Sequence, residues 1–187
     1  MNWMKGMISM NGIKVLSLFD GISCGMIALE RAGVKVETYY ASEIKDFAIK
    51  CSKENYPNII QLGDVNNIDF SSLGHIDLLI GGSPCQGLSL LNRNQEGLEH
   101  PESKLFYKYL EALTTLRTRN PNLRFLLENT RGNKESINTI TKLIGVNPIG
   151  INSNLVSAQN RPRKYWTNIQ GITPPHRQRN NNRHDSK

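Results

Sequence analysis

Ile76-Asp77-Leu78-Leu79-Ile80 runs straight into Gly81-Gly82-Ser83-Pro84-Cys85-Gln86-Gly87. The first five residues form a short apolar run broken only by Asp77, the pattern of a buried strand. The next seven have the glycine and proline content of a loop. A cysteine is therefore expected on a loop at the carboxyl end of a strand. In an open α/β sheet that edge is where ligands bind. A thiol held there behind a proline, between glycines that let a substrate come close, has the placement of a nucleophile. A buried free cysteine beside a tight turn gives the same local pattern. What decides for Cys85 is what else the chain brings to that edge.

Around this strand the pattern alternates. Strands are expected at 15–19, Val36–Ser42, 59–62, 77–80 and 125–127. Helices are expected at 26–31, 46–54, 103–119 and 136–143, with Gly33 and Gly145 as stops. The third helix carries Leu105, Phe106, Tyr109, Leu110, Leu113 and Leu116 at helical spacing. Two closing strands, 150–156 and 164–169, flank Ser157-Ala158-Gln159-Asn160-Arg161-Pro162-Arg163. Repeated β-α-β alternation predicts an α/β fold, a mostly parallel sheet with helices on both faces. The expected organisation is a flexible N-terminus at 1–12, a catalytic domain at 13–169 and a basic, disordered tail at 170–187.

The chain has 187 residues, enough for one domain with a substantial core. No apolar run approaches the ~20 residues that span a bilayer, and the first ten residues lack the core of a secretory signal. Cys24, Cys51 and Cys85 are too few and too far apart for a zinc motif or a disulfide framework, so no metal is expected and a reducing cytoplasm is. The net charge of +7 favours a polyanionic partner. In the tail, four basic residues (Arg177, Arg179, Arg183, Lys187) oppose Asp185 alone, leaving only +4 on the rest.

Three further groups fall at the same sheet edge. Phe19-Asp20-Gly21-Ile22-Ser23-Cys24-Gly25 is a glycine-bearing turn between the first strand and first helix. Such a turn lets a nucleotide-like ligand sit against the helix N-terminus. It is equally the sequence of a plain strand-to-helix turn. Glu43 ends the second strand about twenty residues later, suited to the hydroxyls of a ribose. Asp64 follows the third strand, placed to accept from an adenine amino group. Glycine turn and two acids together suit an adenosine without phosphates. Glu128, after residues 125–127, is expected to emerge beside Cys85. A thiol can add to an electron-poor ring while a carboxyl group holds the ring nitrogen that gains electron density. Lastly, Gln159, Arg161 and Arg163 alternate, which on an extended segment puts all three on one face. Two guanidinium groups there suit phosphate and base-carbonyl recognition.

With these residues assembled, the chain resembles the DNA cytosine-5 methyltransferase family, in the variant of the phage and de novo enzymes. Phe19, Asp20, Gly21 and Gly25 look like its cofactor turn. Glu43 with Ile44, and Gly63-Asp64-Val65, look like its ribose and adenine contacts. Gly82-Ser83-Pro84-Cys85-Gln86-Gly87 is similar to its nucleophile loop, with Pro84 also at the cofactor. Glu128-Asn129 is similar to its base-holding motif, with Thr130 where the family usually has valine. Gln159-Asn160-Arg161-Pro162-Arg163 matches its Gln-x-Arg-x-Arg segment. The resemblance implies a Rossmann-like S-adenosylmethionine-dependent methyltransferase fold with S-adenosyl-L-methionine as methyl donor. It implies double-stranded DNA as substrate, and a bacterial or phage-infected cell as setting. Cys85 adds to carbon 6 of a flipped cytosine, Glu128 holds N3, and Arg161 and Arg163 contact the base carbonyl and nearby phosphates.

The family follows that segment with a target-recognition region and a closing element. Here residues 177–187 turn to asparagine and arginine without apolar content. The expectation is a truncated, frameshifted or split enzyme, with a second chain supplying recognition. Two other functions stay open. One is a silent remnant that binds cofactor or DNA only. The other is an RNA cytosine-5 methyltransferase, whose Cys-Phe-Thr signature is not found here.

Overall fold

The computed structural model describes residues 12–83, 101–129 and 134–172. Pro84, Cys85, Thr130, the N-terminal segment 1–11 and the tail from 173 lie outside the described residues. Seven strands form one sheet: β1 (Ile13–Leu18), β2 (Val36–Ser42), β3 (Ile60–Gln61), β4 (Leu78–Gly82), β5 (Arg124–Asn129), β6 (Ile149–Asn152) and β7 (Pro162–Thr167). Their order is β3-β2-β1-β4-β5-β7-β6. The first five are parallel, and the β6–β7 hairpin closes the sheet antiparallel against β5. The direction of winding reverses between β1 and β4, so their carboxyl ends border the crevice where such sheets bind ligands.

Alternating residues of each strand feed opposite layers. Leu16, Leu18, Leu79, Phe125 and Leu127 face α3 (Pro101–Arg119), through Phe106, Tyr109, Leu113 and Leu116, and α4 (Lys134–Ile144), through Ile140 and Ile144. Val15, Tyr39, Ala41 and Leu78 face the other way, toward Met26 and Leu29 of α1 (Cys24–Arg31). Trp166 of β7 is fully buried and its indole N–H donates to Thr141 Oγ1 of α4 at 3.0 Å, docking the hairpin. The helix before β3, α2 (Asp46–Asn55), buries Ala48 and Ser52.

The helix stops are as read. After α1, Gly33 N–H bonds to Glu30 O at 2.9 Å and Val34 N–H to Leu29 O at 3.0 Å, a paired closure with Gly33 at φ 69°. A Cβ at Gly33 meets nothing within 4 Å. Gly33→Ala therefore costs backbone conformation alone, about 1 kcal/mol or roughly 2–4 °C in Tm for a chain of this size. A thermal melt checks it; an unchanged Tm excludes the left-handed turn.

Three segments differ from expectation. β3 is only two residues long, because the chain turns at Leu62 into Gly63 (φ 74°). β5 runs on past 127 through Glu128 and Asn129, since β7 pairs with both. The expected strand 150–156 stops at Asn152, and Gln159 and Arg161 precede β7 rather than alternating along it. Side chains bind the backbone there instead of a ladder. Asn152 Oδ1 accepts from Arg161 N–H at 3.0 Å, and Ser153 Oγ donates to Gln159 O.

Candidate active site

At the carboxyl ends of β1, β2 and β3 lies a cleft of about 760 Å³, within the size range of small-ligand sites. It opens on the turn after β1, where Phe19 (φ 57°), Gly21 (φ 63°) and Ser23 (φ 62°) are left-handed. For Phe19 and Ser23 this conformation costs energy that surrounding bonds must offset. One such bond is long-range. Glu43 Oε2 accepts from Gly21 N–H at 2.8 Å, while Oε1 accepts from Ile44 N–H at 2.9 Å and Lys45 N–H at 3.0 Å. A carboxylate offers about four lone-pair sites, so Glu43 retains one for a ligand hydroxyl. Asp64 Oδ1 is held by Asn66 N–H and Nδ2, both at 2.9 Å. Among the described residues its Oδ2 accepts no hydrogen bond.

Of the residues expected to bind cofactor, Phe19, Asp20, Gly21, Glu43, Ile44, Asp64 and Val65 line this cleft together. Gly25 does not. It is the second residue of α1, on the face toward the sheet, where an added Cβ would come 2.3 Å from Ile80 Cδ1 and 2.7 Å from Tyr39 Oη, so it lets the helix sit close on the sheet. The cleft also contains Gly82 and Leu105, and three residues that the sequence did not single out: Lys45, Phe47 and Asn66. Ile22, Ile44 and Phe47 are 44%, 66% and 71% exposed, an apolar rim beside two carboxylates. Phe47 stands on the first turn of α2, and no motif marks an exposed aromatic as such. Three acids (Asp20, Glu43, Asp64) face one lysine across the lining. That balance suits a nucleoside without phosphates, and a cationic one better than an anionic one.

Next to the cleft is Glu128. It pairs with Gly82 across β4 and β5, and a Cβ at Gly82 would lie 3.0 Å from Glu128 Oε2. Gly82 thus lines the cofactor-sized cleft and carries the Glu128 carboxyl group on its open side. On the other flank, Arg163 Nε lies 2.6 Å from Glu128 Oε1, with the two side chains 18% and 28% exposed. The Nε–H does not point along that contact, so charge attraction holds the pair. Tyr165 is directly opposite Glu128 in the register. Burial, and secondarily the Glu128 charge, raise its phenol above the usual value, which keeps it protonated at neutral pH. Arg161 is exposed in the preceding loop, and Gln159 is exposed too. Among the described residues, no cluster of three or more His, Cys, Asp or Glu is arranged to hold a metal ion, and no helix is long and apolar enough to cross a membrane.

A family model described as C-5 cytosine-specific DNA methylase matches residues 13–145. The match ends before β6 and β7, so Arg161 and Arg163 lie beyond it. An orphan methyltransferase of Bacillus phage SPR, M.SPRI, is 38% identical over 135 residues, covering 70% of this chain and 30% of that protein. DNA (cytosine-5)-methyltransferase DRM2 of Arabidopsis thaliana is 35% identical over 125 residues, covering 58% and 20%. The type II methyltransferase M.NgoBV of Neisseria gonorrhoeae is 32% identical over 127 residues, covering 66% and 29%. The chain spans less than a third of the length of these relatives. A mostly parallel sheet reversing at β1 and β4, a cleft lined by Glu43 and Asp64, an acid beside it and a model match over most of the chain have one account: the chain belongs to the C-5 cytosine-specific DNA methylase family.

Proposed function

We propose that this chain carries the catalytic part of an S-adenosylmethionine-dependent DNA (cytosine-5-)-methyltransferase. The observation that carries the reading is Gly82, whose backbone borders the cleft on one side and Glu128 on the other. A methyl donor in the cleft and a base at Glu128 would then meet across one glycine. The donor fits the residues present. Glu43 and Asp64 each keep acceptor capacity for ribose and adenine, Ile44 and Val65 offer apolar surface to the ring, and the acidic lining favours a sulfonium cation. When bound, S-adenosylmethionine supplies an electrophilic methyl group for carbon 5.

The chain's own residues prepare the base. Cys85, three residues along the chain from Gly82, adds as thiolate to carbon 6 of a flipped cytosine. Glu128 hydrogen-bonds the N3 edge, where electron density gathers, and so makes carbon 5 nucleophilic. Arg163 fixes the rotamer of Glu128, and Arg161 is free to meet a phosphate. Loss of the carbon 5 proton later expels Cys85. Extruding a paired base costs a few kcal/mol, which contacts to the duplex must offset.

The proposed partner is double-stranded DNA, in the cytoplasm of a bacterial or phage-infected cell. The relatives carry most of their length outside the match. Sequence recognition is accordingly assigned to a further segment, in cis or on a second chain. The test is transfer of a radiolabelled methyl group to duplex DNA, followed by identification of 5-methylcytosine, with that segment supplied. Label confined to RNA, or none in cytosine, overturns the reading.

Cofactor binding has its own prediction. Losing a charged hydrogen-bond acceptor costs about 1.5–3 kcal/mol, so Glu43→Ala should weaken S-adenosylmethionine roughly ten- to a hundred-fold. Titration calorimetry on the folded variant checks this. Unchanged affinity would leave Glu43 with its role at Gly21 N–H alone.

A further inference from the structure

Asp20 lines the cleft, and each of its carboxylate oxygens accepts a hydrogen bond from the protein side. Tyr39 Oη donates to Oδ1 at 2.7 Å, and Ser23 Oγ donates to Oδ2. Behind Ser23 the chain of bonds continues: its hydroxyl lies 2.6 Å from Ser52 Oγ, which accepts from Gln61 Nε2 at 3.2 Å. Each hydroxyl can thus accept from behind and donate forward, ending on the carboxylate. Ser23 and Ser52 are fully buried, and Tyr39 nearly so. Burial, and then the Asp20 charge, raise the Tyr39 phenol far above its usual value, so it remains a donor. Gly25 leaves room for this phenol to reach Asp20, since a Cβ there would sit 2.7 Å from Tyr39 Oη.

We propose that Tyr39 and Ser52 are positioning residues of the cofactor turn, acting through Asp20 and Ser23. The turn needs such support. Two of its non-glycine residues, Phe19 and Ser23, are left-handed, a conformation that persists only when neighbours over-determine it. Glu43 holds the turn at Gly21 from outside; the Asp20 network holds it from β2, α2 and β3 inside. The links at the turn are all satisfied, and the open acceptor among the described residues, Gln61 Oε1, lies at the far end of the network. A preformed turn spares the ligand the cost of ordering it, which is how a residue without ligand contact raises affinity.

The inference rests on reading the cleft as an adenosine site, and the test separates the two. Tyr39→Phe keeps the ring and removes one hydroxyl; Ser52→Ala reaches the same carboxylate from the opposite side, should the first variant not fold. Two quantities are measured in protein shown to be folded by circular dichroism: the Kd of S-adenosylhomocysteine, and amide hydrogen exchange at residues 20–25 without ligand. The expected result is about ten-fold weaker binding together with faster exchange confined to the turn. Unchanged Kd in a folded variant, with or without faster exchange, overturns the proposal. If the unaltered chain fails to bind but exchange at the turn still accelerates in the variants, the adenosine reading falls while the network's hold on the turn stands.

Discussion

Cys85→Ser is expected to abolish covalent capture of a duplex carrying 5-fluorocytosine at the target position. In the proposed reaction, the carbon 5 proton must leave before Cys85 can be expelled. Fluorine cannot leave that way, so the adduct between Cys85 and carbon 6 accumulates when S-adenosylmethionine is present. Serine keeps the shape of cysteine but not its acidity, and the neutral hydroxyl is a far weaker nucleophile at neutral pH. The loss should be complete on a denaturing gel, where only covalent complexes survive. The structure also selects the control. Cys24 lines the cleft proposed to hold the cofactor, so its substitution can weaken binding for an unrelated reason. Cys51 stands on α2, outside the cleft lining, and Cys51→Ser should capture as the unaltered chain does. Capture that survives Cys85→Ser removes Cys85 as the nucleophile.

The second large effect belongs to Glu128. Glutamine preserves the size of this side chain and can still hydrogen-bond a ring nitrogen, but it cannot give or take a proton. General acid catalysis contributes about 10²–10⁴-fold, so Glu128→Gln should lower kcat for methyl transfer by that order. S-adenosylmethionine binding should change little, because Glu128 is not in the cleft lining. Single-turnover methyl transfer with saturating cofactor is the measurement. The variant also removes the charge that holds Arg163, so Arg163→Lys provides a comparison. It keeps the charge with different geometry, and its loss should be smaller. A kcat within a few-fold of the unaltered chain in Glu128→Gln would confine the carboxyl group to a structural role with Arg163.

Much of this architecture was legible in the chain because it is written in local patterns. Apolar runs such as 77–80 cannot be left in water, and Gly33 and Gly145 stop helices by a backbone conformation other residues disfavour. Those features need only neighbours in sequence. The failures share the opposite property. β5 extends past residue 127 because Glu128 pairs with Tyr165, 37 positions away. Gln159 and Arg161 have the alternation of a strand, but Asn152 and Ser153 capture that backbone first.

The sequence by itself determined the order of most elements, the identity of the candidate acids, and the sheet edge at which Glu43, Asp64 and Glu128 collect. Side-chain period and turn chemistry act over a few residues and leave their mark there. Only the tertiary structure decided what each group touches. It turned Asp20 toward Tyr39 and Ser23, placed Gly25 of α1 against the sheet rather than in the cleft, joined Glu128 to Arg163, and left Phe47 exposed at the rim. These outcomes depend on distances between residues far apart in the chain, which packing fixes and no local pattern encodes.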